Sequence, residues 1–104
     1  MGYRSVRTPG GFLGLLLLAL LLLGGCAEKG AKLFAEEGCA ECHSFKGKGG
    51  NLAPDLTAVT ERRDEGWIKK KIKNSEKLDG NYRMPPFEHL SEYEIRSIIK
   101  YLKS

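Results

Sequence analysis

Residues 39–43 read Cys39-Ala40-Glu41-Cys42-His43, a C-x-x-C-H run. Two thiols at i and i+3 share one face of a helical turn, and an imidazole follows with no spacer. This is the pattern by which a c-type haem is attached. Each thiol adds to one vinyl group of the same haem, and the adjacent histidine then stands beneath the iron as its proximal ligand. Three rival readings use part of the run. A thioredoxin-like redox pair calls for a strand–helix context in a larger α/β domain. A zinc site calls for a second ligand pair, and the only spare candidate is His89. A structural disulfide leaves His43 without a role. One haem c, held by Cys39 and Cys42 with His43 on the iron, employs all three reactive side chains.

The stretch upstream agrees in its choice of compartment. Arg4 and Arg7 make a positively charged start, and Phe12–Leu23 is an apolar segment of 12 residues. That length suits an export signal and is short for a membrane span, which takes roughly 20 residues. Leu23-Gly24-Gly25-Cys26 follows and resembles a bacterial lipobox. The resemblance implies that the Cys26 thiol takes a diacylglyceryl group, that residues 1–25 are removed, and that the new terminal amine is acylated. Several acyl chains on one residue anchor firmly where one would be marginal. An ordinary signal peptide with an incidental cysteine, or an uncleaved short anchor, are the alternatives. Ala27 rather than Asp after the cysteine favours the outer membrane of a two-membrane cell. Residues 26–29 are then a lipidated N-terminus and short tether, and residues 30–104 are the functional domain. Either way the chain is exported, to the periplasm or the outer face of a membrane, where covalent haem attachment takes place.

The leader also distorts the composition. It holds nine of the fifteen leucines, so removal at Cys26 leaves 79 residues with six. Losing Arg4 and Arg7 reduces the net charge from +4 to +2, a weak footprint for nucleic acid. A multidomain enzyme and a large aliphatic core are both excluded. A chain of this size generally needs a metal, a cofactor or disulfides to hold it.

From about Gly30 to Leu102 the sequence resembles a small bacterial monohaem cytochrome c of the class I type. The matching elements are Gly30 and Phe34, the Cys39–His43 run, Ala53-Pro54-Asp55-Leu56, Met84-Pro85-Pro86, and Ile98 with Tyr101-Leu102. They occur in the family's order. The resemblance implies an all-α fold of short helices packed around one covalently bound haem, with the first and last helices crossing. Gly30 and Phe34 would then meet Ile98 and Tyr101. It also implies Met84 as the second axial ligand, since the family places that ligand in a Met-Pro context. Met84 is the only methionine after the leader and lies 41 residues past His43. Its prolines fix φ and stiffen the loop. His89 is the competing ligand and would lower the potential.

The resemblance further implies that the Pro54 carbonyl accepts from His43 Nδ1–H, which orients the ring. Leu52 and Leu56 would pack on the haem. Trp67 would either bond a propionate or fill the core. Arg62 or Arg63 could neutralise a propionate, and Asn81 or Tyr82 could donate to the Met84 sulfur or to a propionate.

Local patterns predict the elements. A helix over Glu28–Glu37 stops at Gly38. Gly47-Lys48-Gly49-Gly50 reads as a flexible loop without a phosphate-binding context. Asp64 caps a helix with Trp67, Ile68 and Ile72 inward and Lys69, Lys70, Lys71 and Lys73 mostly outward. That lysine run is a solvated face or a patch that steers an acidic partner. Leu78–Phe87 is the Met84 loop. Ser91 and Glu94 form a capping box with Leu90 and Ile95 as a staple, opening a helix whose Ile95, Ile98, Ile99 and Leu102 keep the i, i+3, i+4, i+7 spacing.

Together these point to a membrane-tethered electron carrier rather than an enzyme. His43 and Met84 would stay on the iron in both oxidation states, and redox proteins would serve as donor and acceptor. A fixed haem subunit of a respiratory or reductase complex is the nearest alternative. A peroxidase or gas sensor would need an open iron position, which Met84 fills.

Overall fold

The computed structural model describes residues 25–104, so the charged and apolar parts of the leader, up to residue 24, lie outside the described residues. The chain is helical over 25–36 (α1). Short helices follow at Cys39–Cys42 (α2), Val59–Arg62 (α3), Glu65–Lys73 (α4) and Ser75–Asp79 (α5), and then Glu92–Leu102 (α6). Among the described residues the only strands are Ser44–Phe45 (β1) and Lys48–Gly49 (β2), paired antiparallel.

α6 forms as its sequence dictates. Glu94 N–H donates to Ser91 Oγ at 3.1 Å, and Ser91 N–H donates to Glu94 Oε1 at 2.9 Å. Leu90 and Ile95 on either side of this box are both buried. The apolar stripe Ile95, Ile98, Ile99 and Leu102 is buried throughout, and its three isoleucines are the most deeply buried apolar residues of the described core.

α1 crosses this helix at Gly30. A Cβ there would overlap the Ser97 carbonyl oxygen and stand 2.8 Å from Tyr101 Cβ. The missing side chain therefore lets the two backbones meet at Ser97 and Tyr101, and Phe34 and Ile98 share the buried core beside the crossing. Phe34 packs beside the crossing, its ring centroid 5.6 Å from that of Tyr101. Phe45 of β1 completes the cluster, 4.9 Å from Tyr101 and 6.5 Å from Phe34. This aromatic trio ties the hairpin, and the C-x-x-C-H run before it, to the helix crossing.

The Asp64 cap holds: Trp67 N–H donates to Asp64 Oδ1 at 2.8 Å, and Ile68 and Ile72 are buried. The lysines of α4 differ from expectation. Lys71 bonds Asp79 at 2.6 Å, Lys69 pairs with Glu92 at 3.0 Å, and Lys73 donates to the Leu90 carbonyl at 2.8 Å. Three of the four are thus engaged within the protein, and Lys70 alone is fully outward. α5 is a second departure. Asn74 Oδ1 accepts from Lys77 N–H, and Gly80 in the left-handed region (φ 81°) ends the helix, so Leu78 belongs to a helix and the loop begins at Gly80.

Candidate functional site

Gly38 in the left-handed region (φ 80°) ends α1 and turns directly into α2. α2 is one turn long, so Cys39 and Cys42 stand on the same face. Their thiols are not joined to each other. Cys39 packs against the core, and burial pushes its thiol up to about 11, so it is neutral at ordinary pH. Cys42 is exposed. His43 N–H donates to the Cys39 carbonyl at 2.9 Å, after which the backbone turns extended. The ring is held from its far side: His43 Nδ1–H donates to the Pro54 carbonyl at 2.7 Å. That contact fixes the tautomer and leaves Nε2 as the free lone pair.

The Gly47–Gly50 segment is not the loose loop its composition suggested. Lys46 (φ 51°) and Gly47 (φ 81°) make the turn of the β1–β2 hairpin, as a two-residue connection with two positive φ values should. The hairpin then lies against the C-x-x-C-H backbone. A Cβ on Gly49 would overlap the His43 carbonyl, and one on Gly50 would overlap the Glu41 carbonyl. Gly50 N–H donates to the Ala40 carbonyl at 2.8 Å, and Ala53 N–H to the Cys42 carbonyl at 3.0 Å.

The loop that carries Pro54 has its own fastening. Asp55 Oδ1 accepts from both Thr57 N–H (3.1 Å) and Thr57 Oγ1–H (2.8 Å). Lys46 N–H donates to Thr57 Oγ1 at 2.8 Å, and Arg62 Nη1–H to the Thr57 carbonyl at 2.9 Å. The two hydrogen bonds from Thr57 hold the Asp55 carboxyl below the usual carboxylate range. Asp55-x-Thr57 is an Asx-type turn signal that could have been read from the sequence. Its bonds to Lys46 and Arg62 have no sequence signal. Arg62 is therefore a brace of this loop, and Arg63 lies over Trp67, 4.3 Å from its ring centroid. Trp67 is half-buried against the core.

The Met84 loop is pinned at both ends. Asn81 N–H donates to Asp79 Oδ1, and Arg83 N–H donates to Asn81 Oδ1, each at 3.0 Å. At the other end Phe87 N–H reaches the Ile72 carbonyl at 3.1 Å, which satisfies the end of α4. Met84 is half-buried against the core. Tyr82 beside it is 76% exposed, and Leu52 in the Pro54 loop is 82% exposed. His89 is directed elsewhere: its Nε2 bonds Glu37 Oε1 at the end of α1.

These residues fit a haem. Two thiols share one turn, an oriented imidazole presents Nε2, a thioether lies in a braced loop, and Leu52 and Tyr82 are large apolar side chains left exposed in the two loops that carry Pro54 and Met84. A family model described as cytochrome c matches residues 27–104. Over 79 residues the chain is 33% identical to cytochrome c550 of Pseudomonas aeruginosa strain PAO1, a stretch covering 74% of this chain and 54% of that protein. The chain spans about half the length of this curated relative.

Proposed function

The chain belongs to the cytochrome c family, and from that premise we propose that it is a membrane-tethered one-electron carrier with a His/Met-ligated haem c. Family members typically carry electrons rather than catalyse reactions, and redox proteins are their partners. Cys39 and Cys42 would hold the haem through two thioethers, and His43 and Met84 would bind its iron. Held there, haem c supplies a one-electron iron couple.

The remaining work belongs to the chain. The Pro54 carbonyl keeps His43 in one tautomer and raises the basicity of Nε2. Asp55, Thr57 and Arg62 keep that carbonyl in place, and the glycine hairpin backs the turn that bears both thiols. Pro85 and Pro86 limit the excursions of a loop that must keep a weak thioether in position. Trp67, Asn81 and Tyr82 remain candidates for propionate or sulfur contacts. Of these, Asn81 already spends its oxygen on the loop turn.

Cys26 is the proposed lipidation site, with residues 1–25 removed and the domain kept at the outer face of a membrane, in the periplasm of a two-membrane cell. A lipid tether raises the carrier's effective concentration near membrane-bound partners, such as a quinol-oxidising donor and a terminal acceptor.

The observation that carries the reading is the His43–Pro54 contact beside two thiols on one turn. The visible spectrum tests it. Ferric protein should show the deep-red charge-transfer band of methionine ligation, and Met84→Ala should abolish it. A high-spin ferric spectrum in the unaltered protein would overturn the carrier reading. A low-spin spectrum lacking the band would point to His89, although that ring is bonded to Glu37.

A further inference from the structure

Residues 26–29 are helical, continuous with α1. From Cys26 to Gly30 is four residues, a rise of about 6 Å in an α-helix, and Gly30 is locked against Ser97 and Tyr101 of α6. An acyl group on Cys26 would therefore have little slack, and would hold one side of the domain near the bilayer.

The structure identifies that side. Exposed Cys26 lines a groove of about 340 Å³ together with Glu65, Tyr93, Arg96, Lys100 and Lys103. Three cations face one carboxylate, and that carboxylate is already paired: Lys103 Nζ lies 3.2 Å from Glu65 Oε2. Arg96 and Lys100, both exposed, sit one turn apart on α6 and make no side-chain hydrogen bond or ion pair among the described residues; Glu92, the carboxylate that Arg96 helps to hold in its charged form, is itself paired with Lys69. Tyr93 is 50% exposed and carries the Lys29 ammonium 5.3 Å from its ring centroid. An amphipathic ring flanked by cations suits the level of lipid headgroups. The other basic groove, about 630 Å³ and lined by Lys70, Lys73 and Lys77, is less available. There Lys73 is committed to the Leu90 carbonyl and Lys77 lies 3.9 Å from Glu88.

We propose that the groove beside Cys26 is the membrane-facing side of the domain, and that Arg96, Lys100 and Lys103 seat the phosphate headgroups of an anionic bilayer. The inference rests on the reading of Cys26 as the anchored residue. It adds an orientation to it: the surface opposite α6 is left for redox partners.

The native haem-loaded protein is placed in phosphatidylcholine bilayers with or without phosphatidylglycerol, and acetylation of each lysine is followed by mass spectrometry. Phosphatidylglycerol should slow acetylation of Lys100 and Lys103 about fivefold or more, the equivalent of one cation held at an anionic surface. Lys48, Lys70 and Lys77 should be unaffected, and Arg96→Gln should weaken the protection. Equal rates in both bilayers, or protection of Lys70 and Lys77 instead, would overturn the proposal. The same peptide map weighs Cys26. Acylated Cys26 without protection sinks the groove alone, whereas protection with unacylated Cys26 sinks the anchor alone and keeps the groove as a lipid-binding surface.

Discussion

Two glycines of the hairpin separate conformational strain from lost space. Gly47 has φ 81° with nothing within 4 Å of a built Cβ, whereas Gly50 would drive a methyl into the Glu41 carbonyl. Gly47→Ala should cost about 1–2 kcal/mol, the penalty of a left-handed L-residue, with the haem spectrum unchanged. Gly50→Ala should cost about 1–3 kcal/mol through overpacking. Because it displaces the turn between the thiols, it should also disturb the spectrum or lower haem incorporation. Denaturant unfolding and visible spectra of both variants check this. Equal spectra would mean that the hairpin does not brace the cysteine turn. The single histidine outside the C-x-x-C-H run is decided at the same scale. His89 bonds Glu37, a partner 52 residues away, and no local pattern could have announced it.

At the scale of elements, legibility followed locality. α6 was readable in full because its cap, staple and stripe all act within one or two turns. The body of α1 and the Asp64 cap were readable for the same reason, but the first turn of α1 was not: residues 26–29, read as a tether, are helical, and the helix stops at residue 36 rather than at Glu37. The hairpin and α5 were not readable either. β1 and β2 have two residues each, too few for alternation to register. α5 has five residues, and its helix is set by Asn74 and Gly80 at its ends rather than by any periodicity. Lys70 of α4 is outward as expected, but the partners of Lys69, Lys71 and Lys73 could not be read because Glu92, Asp79 and Leu90 come from later segments. The capping box of α6 gives an element-scale prediction. Ser91→Ala should cost about 1 kcal/mol. Hydrogen bonds from Ser91, its backbone N–H foremost, hold the Glu94 carboxyl below the usual range. A folded-state pKa depressed in this way contributes stability that is present above the unfolded value, about 4.3, and is lost as pH falls through the folded one. Glu94→Gln should therefore be less stable at neutral pH and should show a shallower fall in Tm below about pH 4. Parallel Tm-versus-pH curves for the two proteins would refute the assignment.

For the whole molecule the question is what the described core can sustain without its cofactor. Its buried apolar residues are Leu33, Phe34, Phe45, Val59, Ile68, Ile72, Leu90, Ile95, Ile98, Ile99 and Leu102. They gather around the α1–α6 crossing and the inner face of α4. The segments bearing Leu52, Pro54, Tyr82 and Met84 contribute no fully buried side chain. Chains of about 70–80 residues rarely draw more than about 3–5 kcal/mol from a single core. A domain built this way should order its helix crossing by itself and depend on the haem to order the Pro54 and Met84 loops. Replacing both thiols, Cys39→Ala with Cys42→Ala, removes covalent attachment while sparing every residue of that core except the partly buried Cys39. The exported double variant should lose the helical circular dichroism of α2 to α5, keep much of that from α1 and α6, and unfold without a cooperative transition. Any protection from hydrogen exchange that survives should be confined to α1 and α6. If the variant instead keeps native helicity and melts cooperatively, the protein core is self-sufficient. Haem would then be a passenger in a preformed fold, and the braces around Pro54 would serve the potential and not folding.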